Sequence, residues 1–394
     1  MDFWKNPKEL NKQQINQKYP DHTRQSFSLI EMLDQAGGKT SRRNFLKLFG
    51  YGISGALLAA ACERPVKESI PYLIEPEEVT PGEANYYASS FFDGNQFCSI
   101  LLKVRDGRPI KVEGNERSPM TKGGTNALVQ ASVLGLYDNA RYQQPLRKKE
   151  QVSWQTMDQD IINILKKATA RGKKKVILSS TVVSPSTQKL INEFSETYSG
   201  VEHIMYDDLS FSGMREANRL SFGKPVIPDY HFDKARIIVS FGADFLGTWL
   251  SPIEFTKQYT AGRVPEQVGK DMSFHVQVES NLSLTGSNAD KRIVINPSDE
   301  KYVLSKFYQY LVTNSLDSEE VAGVNIKKLG DFLMKNRGQS LIVSGSNDPQ
   351  VQSLVNGINY ELDNYGSTID LNNPVYLKQG DDKAVAQLVE QMNN

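Results

Sequence analysis

Arg236-Ile237-Ile238-Val239-Ser240-Phe241-Gly242 is a nearly unbroken apolar run, rich in β-branched residues and closed by glycine. A run this short reads as a strand. Without polar alternation it is buried on both faces, as in a parallel sheet covered by helices. Val176-Ile177-Leu178-Ser179-Ser180 and His203-Ile204-Met205-Tyr206 precede it, and Phe274–Val278, Ile293–Ile295 and Leu341-Ile342-Val343 follow. Between them, helical patterns cover 157–170, the stretch from a cap at Ser184 to about Tyr198, 299–314, 325–336 and 350–362. Short apolar strands alternating with helices are βαβ units, so 151–394 is expected to be an α/β domain.

Upstream the pattern changes. Phe97, Ile100, Leu102, Val104, Ile110 and Val112 alternate around Asp106-Gly107, a two-residue hairpin signal. Residues 114–150 read as a Gly-, Asn- and Pro-rich loop with a short helix near Ala127–Leu136, so 96–150 forms a small β-rich segment. Residues 62–95 carry Pro65, Pro71, Pro76 and Pro81 among Glu63, Glu68, Glu75, Glu77 and Glu78, and read as an extended tether or a strap on a partner.

Composition removes several classes. The 394 residues exceed one typical core, and 39% apolar against 23% charged residues exclude disorder as the whole answer. Lys plus Arg and Asp plus Glu each number 46, and a zero net charge argues against a general nucleic-acid binder. No apolar run reaches the roughly 18–20 residues that span a bilayer. The two cysteines, Cys62 and Cys98, cannot supply the four thiolates of an ordinary iron–sulfur cluster or zinc ribbon.

The zero is uneven. Residues 1–47 hold nine basic and five acidic groups, 48–61 hold no charge, and the rest holds 37 basic and 41 acidic groups. A basic front, an apolar segment and an acidic body form an export pattern. Ser41-Arg42-Arg43-Asn44-Phe45-Leu46-Lys47 fits the twin-arginine consensus at Ser41, Arg42, Arg43, Phe45, Leu46 and Lys47, and the Gly-containing run Leu48–Ala61 follows as its apolar region. Residues 1–61 are thus an export-signal region with a long polar front. Leu57-Leu58-Ala59-Ala60-Ala61-Cys62 resembles a lipobox, which would make Cys62 the acylated first residue of the mature chain.

Catalytic constellations are sparse. The histidines are His22, His203, His231 and His275, with no H-x-x-x-H or H-E-x-x-H pair, and no G-x-S-x-G elbow occurs. His203 with Asp207-Asp208, and His231 with Asp233, could bring carboxylates near imidazoles. At strand ends these read more naturally as surface groups. Gly345-Ser346-Asn347-Asp348 is a loop type that can face phosphate. Lys122-Gly123-Gly124-Thr125 lacks the order of a phosphate loop.

Asp106-Gly107-Arg108-Pro109-Ile110-Lys111-Val112-Glu113-Gly114-Asn115 resembles the hairpin of molybdopterin oxidoreductases. Leu136-Tyr137-Asp138-Asn139-Ala140-Arg141-Tyr142-Gln143-Gln144-Pro145-Leu146, followed by Trp154, resembles a later segment of the same family. Other stretches are similar to the exported iron–sulfur subunit of alternative complex III, a quinol-oxidising complex. These are Ile70-Pro71-Tyr72, Asn85-Tyr86-Tyr87-Ala88-Ser89, Phe241 to Leu246 with Trp249-Leu250-Ser251-Pro252, and Ser283 to Asp290.

The resemblance implies a molybdopterin-oxidoreductase-like α/β fold with a parallel Rossmann-like sheet. Cys98 stands alone before the hairpin and Gly123-Gly124 occupies the place of a later cysteine motif, so these residues carry no catalytic, cofactor or metal site. Molybdopterin is expected to be absent, and iron–sulfur clusters are expected only in a further C-terminal part. The expected partners are multihaem cytochrome c subunits, polysulfide-reductase-like membrane subunits and the membrane surface, on the periplasmic face of the bacterial cytoplasmic membrane, with no nucleic acid. The competing readings are a molybdopterin-dependent oxidoreductase subunit and an exported lipoprotein binding module.

Overall fold

The computed structural model describes residue 80, residues 82–265 and residues 272–393. The twin-arginine motif, Cys62 and the strap up to residue 79 lie outside the described residues. The chain divides into two units, Met1–Thr80 and Pro81–Asn394, and the elements below belong to the second.

Three antiparallel strands come first: β1 (Ala84–Phe92), β2 (Phe97–Arg105) and β3 (Arg108–Gly114). Asp106 and Gly107 both take positive φ (48° and 71°), the geometry that the predicted two-residue turn requires. β1 corrects one expectation. The stretch 62–95 is not a free tether throughout, because Ala84–Phe92 pairs residue by residue with β2 as an edge strand. Its half-exposed Tyr86 and Tyr87 lack the strict alternation that would have marked it. Helix α1 (Ala127–Ala131) follows, capped by Asn126, then the short pair β4 (Leu146–Arg147) and β5 (Glu150–Gln151).

The next unit is thin. Helix α2 (Trp154–Ala170) is capped by Ser153, and α3 (Pro185–Thr197) by Ser184 with proline at its first position. They flank β6 (Lys175–Ser179) and β7 (Val201–Met205), which among the described residues pair in parallel with each other alone. Neither helix has a fully buried residue, and Leu178 is 56% exposed.

The main sheet is the opposite. After α4 (Ser212–Phe222) and β8 (Ile227–Tyr230) comes β9 (Ile237–Phe241), buried at every residue. Then follow α5 (Pro252–Ala261), β10 (Phe274–Glu279), α6 (Leu284–Ser287), β11 (Lys291–Val294) and α7 (Glu300–Thr313). A tight pair, β12 (Glu320–Val321) and β13 (Val324–Asn325), leads through α8 (Ile326–Met334) to β14 (Ser340–Ser344), also fully buried. Helix α9 (Pro349–Glu361), strand β15 (Ile369–Val375), antiparallel to β8, and helix α10 (Asp382–Asn393) end the described chain.

The parallel sheet runs β11-β10-β9-β14. Ile237, Val239 and Phe241 face α7, α8 and α9, among them Phe307, Leu333 and Ile358. Ile238 faces the other way, toward Phe245, Trp249 and Phe255. A buried aliphatic or aromatic side chain contributes roughly 1.5–3 kcal/mol, so this sheet holds most of the stability. No described helix is long and apolar enough to cross a membrane.

Native-state hydrogen exchange checks the contrast. Amides of β9 and β14 should exchange on the order of 100-fold more slowly than those of β6 and β7. Equal protection would show that the thin unit is as firmly held as the central sheet.

Candidate functional site

In the order β11-β10-β9-β14, chain succession reverses direction at β9. The crevice between the carboxyl ends of β9 and β14 is the switch point at which open α/β sheets bind ligands. Gly345-Ser346-Asn347-Asp348 lies there, at the end of β14, as a phosphate-facing loop should.

Its groups are already engaged. Gly345 N donates to Phe241 O at 2.8 Å, and a Cβ at Gly345 would stand 2.6 Å from Gly242 O, so the two strand-end loops touch. Ser346 N donates to Ser344 Oγ (3.0 Å) and Asp348 N to Ser346 Oγ (3.2 Å). Asn347 Oδ1 accepts from Gly213 N at the start of α4 (2.8 Å), while its Nδ2 donates to Asp382 Oδ2 (2.9 Å).

On the β9 side, Asp244 Oδ1 accepts from Thr285 N (3.0 Å) and Thr285 Oγ1 (2.7 Å), and the Asp244 carbonyl accepts from Gly247, Thr248 and Trp249. At the end of β10, Glu279 accepts from Ser283 N and Oγ and from Arg292 Nε (2.6 Å). Burial opposes its charge, yet those donors hold it below the usual carboxylate range. Glu300, bonded to Ser344 Oγ at 2.7 Å, is pushed upward by burial.

A pterin dinucleotide here would need free amide donors for its diphosphate and a soft ligand for its metal. The residues do not fit. The strand-end amides of Gly345, Ser346 and Asp348 bind the chain's own oxygens, and the Asp244 carboxyl is taken up by Thr285. Cys98 is fully buried in the β1–β3 segment, donates from Sγ to Gly124 O (3.2 Å), and has its thiol pushed up by burial, which disfavours a thiolate ligand. Among the described residues no group of three or more His, Cys, Asp or Glu is placed to hold a metal ion.

The other sequence candidates separate. His203 Nε2 pairs with Ser179 Oγ (2.8 Å) on the adjacent strand, not with Asp207 or Asp208. Asp207 accepts from Thr181 N and Oγ1 and from Gly380 N, and Asp208 from Asn95 Nδ2, with the buried Lys378 ammonium at 3.4 Å. His231 lies 3.9 Å from Asp229, whereas Asp233 pairs with Lys122 (3.6 Å). His275 is a neutral core residue between Tyr259 and Gln277, lowered to about 4 by burial. Lys122-Gly123-Gly124-Thr125 packs on α5, with Gly124 against Ile253 and Lys257. The export residues and Cys62 lie outside the described residues.

One buried group went unread in the sequence. Ser251-Pro252-Ile253-Glu254 has the spacing of a capping box, but Ser251 makes no cap bond. Glu254 instead accepts from Gln258 Nε2 (3.2 Å) and leaves Oε2 without a protein partner, as are Asp229 Oδ1, Ser251 Oγ and Thr121 Oγ1. Burial, with the Asp229 charge behind it, pushes Glu254 up to about 7.

No protein-family model matches the chain. It is 25% identical over 272 residues to the menaquinone reductase, molybdopterin-binding-like subunit, of Nitratidesulfovibrio vulgaris, which covers 66% of this chain and 38% of that protein. The chain thus spans well under half of that relative. Among solved structures, acetylene hydratase from Pelobacter acetylenicus superposes with a TM-score of 0.53 at 12% identity, over 71% of this chain and 44% of that one. The fold is a molybdopterin-oxidoreductase-like α/β fold, as the sequence motifs implied.

Glu254 sets a pH dependence. Its unfolded carboxyl releases a proton near the usual 4.5, whereas the folded one holds it to about 7. Its contribution is complete below pH 4.5 and declines as pH rises to 7, by up to about 3 kcal/mol. Calorimetry from pH 4.5 to 8 should show E254Q removing this decline and melting higher than wild type at pH 8; parallel profiles would rule out the assignment.

Proposed function

We propose that this chain is the cofactor-free, molybdopterin-oxidoreductase-like part of the iron–sulfur subunit of a menaquinol-oxidising respiratory complex of the alternative complex III type. In this reading it is a scaffold. The observation that carries it is the switch-point crevice, where Asp244, Asn347 and Ser344 hold the amides and hydroxyls that a bound dinucleotide would need. A fold kept without its ligand contacts serves to position other subunits. The similarity to a protein named as a menaquinone reductase subunit supports the respiratory setting.

Electron transfer then runs through iron–sulfur clusters and haems outside these residues, because two cysteines cannot ligate a four-thiolate cluster. The chain docks multihaem cytochrome c and polysulfide-reductase-like membrane subunits. Arg42 and Arg43 direct its export as a folded protein to the periplasmic face, where acylated Cys62 adds a membrane anchor.

Mild-detergent extraction of membranes from the native host tests this. The chain should co-purify with c-type haem and menaquinol-oxidising activity. In the R42K/R43K variant it should be missing from that complex and accumulate in the cytoplasm. A chain that purifies free of haem subunits, or reaches the periplasm without the arginine pair, would overturn the reading.

A further inference from the structure

Among the described residues strand β11 ends the parallel sheet on one side and pairs with β10 alone. Ile295 N donates to Glu279 O (3.2 Å), so by alternation along a parallel ladder the backbone groups of Arg292 and Val294 point to the open edge. Val294 is 60% exposed there. Between this edge and α8 lies a groove of about 620 Å³. Its floor includes Phe274, Ile293, Leu329 and Phe332, with the two phenylalanine rings edge to face at 5.8 Å.

The rim is basic. Lys327 is paired with Glu319 (2.9 Å), and Asp331 accepts from the Tyr310 hydroxyl. Lys291, Lys328 and Lys335 also line the groove and make no ion pair among the described residues. Four lysines, Lys291, Lys327, Lys328 and Lys335, face two carboxylates, Glu319 and Asp331, beside an apolar floor, a basic excess on a body whose acidic groups outnumber its basic ones. Edge lysines can serve only to discourage aggregation. That accounts for Lys291 on the strand, but not for Lys328 on α8 or Lys335 just after its end, which line the same groove.

We propose that this edge and groove receive an extended acidic segment of another subunit, added to the sheet beside β11. The open backbone groups favour a polypeptide over a lipid, because only another strand can answer both their donors and acceptors. Side chains at every second position of such a strand would enter the groove. Carboxylates on it would meet the three lysines. The inference goes beyond the scaffold reading, since it names one docking face and the chemistry it selects.

A labelled peptide, Glu-Val-Glu-Ile-Glu-Val-Glu, and its counterpart with Lys in place of Glu provide the first test with the purified chain. The acidic peptide should bind and the basic one should not. K291E/K328E/K335E should weaken binding at least ~10-fold. V294P removes an outward N–H without breaking the β10 ladder, and should weaken it similarly at an unchanged melting temperature. Binding that ignores either variant would overturn the proposal. The second test is zero-length carbodiimide crosslinking of the membrane complex. Links should join these lysines to one acidic segment of a different polypeptide. Links to a second copy of this chain, or no protein link with anionic phospholipid retained, would overturn it. An intact haem-containing complex without the links would leave the scaffold reading standing.

Discussion

The central sheet and its crevice rest on β9 pairing in parallel with two strands at once. Ile237 faces Phe274 of β10 and Ser340 of β14, and the register holds through Phe241 on both sides. The strand can sit there only because all five residues tolerate full burial. Ser240, its one polar side chain, donates inward to Ala243 O (2.9 Å). Because β10 and β11 lie on one flank and β14 on the other, the same pairing creates the crevice where the loops after β9 and β14 meet.

What fills that crevice decides the chemistry. In a ligand-binding sheet the strand-end amides face an open space. Here Asp244 gathers Thr285, Asn347 gathers Gly213, and the Gly345 amide reaches back to Phe241. These hydrogen bonds join residues far apart in sequence and tie the loops at the strand ends to one another and to α4. Glu300 takes up the Ser344 hydroxyl at the end of β14, and Glu279 is paired with Arg292 at the end of β10. A fold so arranged keeps its shape without a ligand, which suits a scaffold within a larger assembly. The thin β6–β7 unit leaves Leu178 and Leu190 exposed, and among the described residues no strand pairs with the outer edge of β11.

Much of this was legible in the residues. The run at 236–242, the Asp106-Gly107 turn and the Ser184 cap of α3 each have a local cause, and each appears in its expected place. The edge strand β1 and the antiparallel β8–β15 pair were not legible, because their residues are set by pairing partners over a hundred positions away in the second case and carry no clean alternation in the first. The site was half legible. Gly345 to Asp348 announced a strand-end loop, but its sequence does not say whose oxygens its amides would meet. Glu254 was invisible because its raised proton affinity comes from burial in the fold and from the charge of Asp229, 25 positions away in sequence.

The central claim is that the closed crevice takes no pterin dinucleotide. Native mass spectrometry with metal analysis tests it most directly, on the chain purified from its native host or from a host that makes the molybdenum cofactor. The account predicts the polypeptide mass, with acyl chains if Cys62 is modified, and no molybdenum. One equivalent of molybdenum with the added mass of a pterin dinucleotide would contradict it.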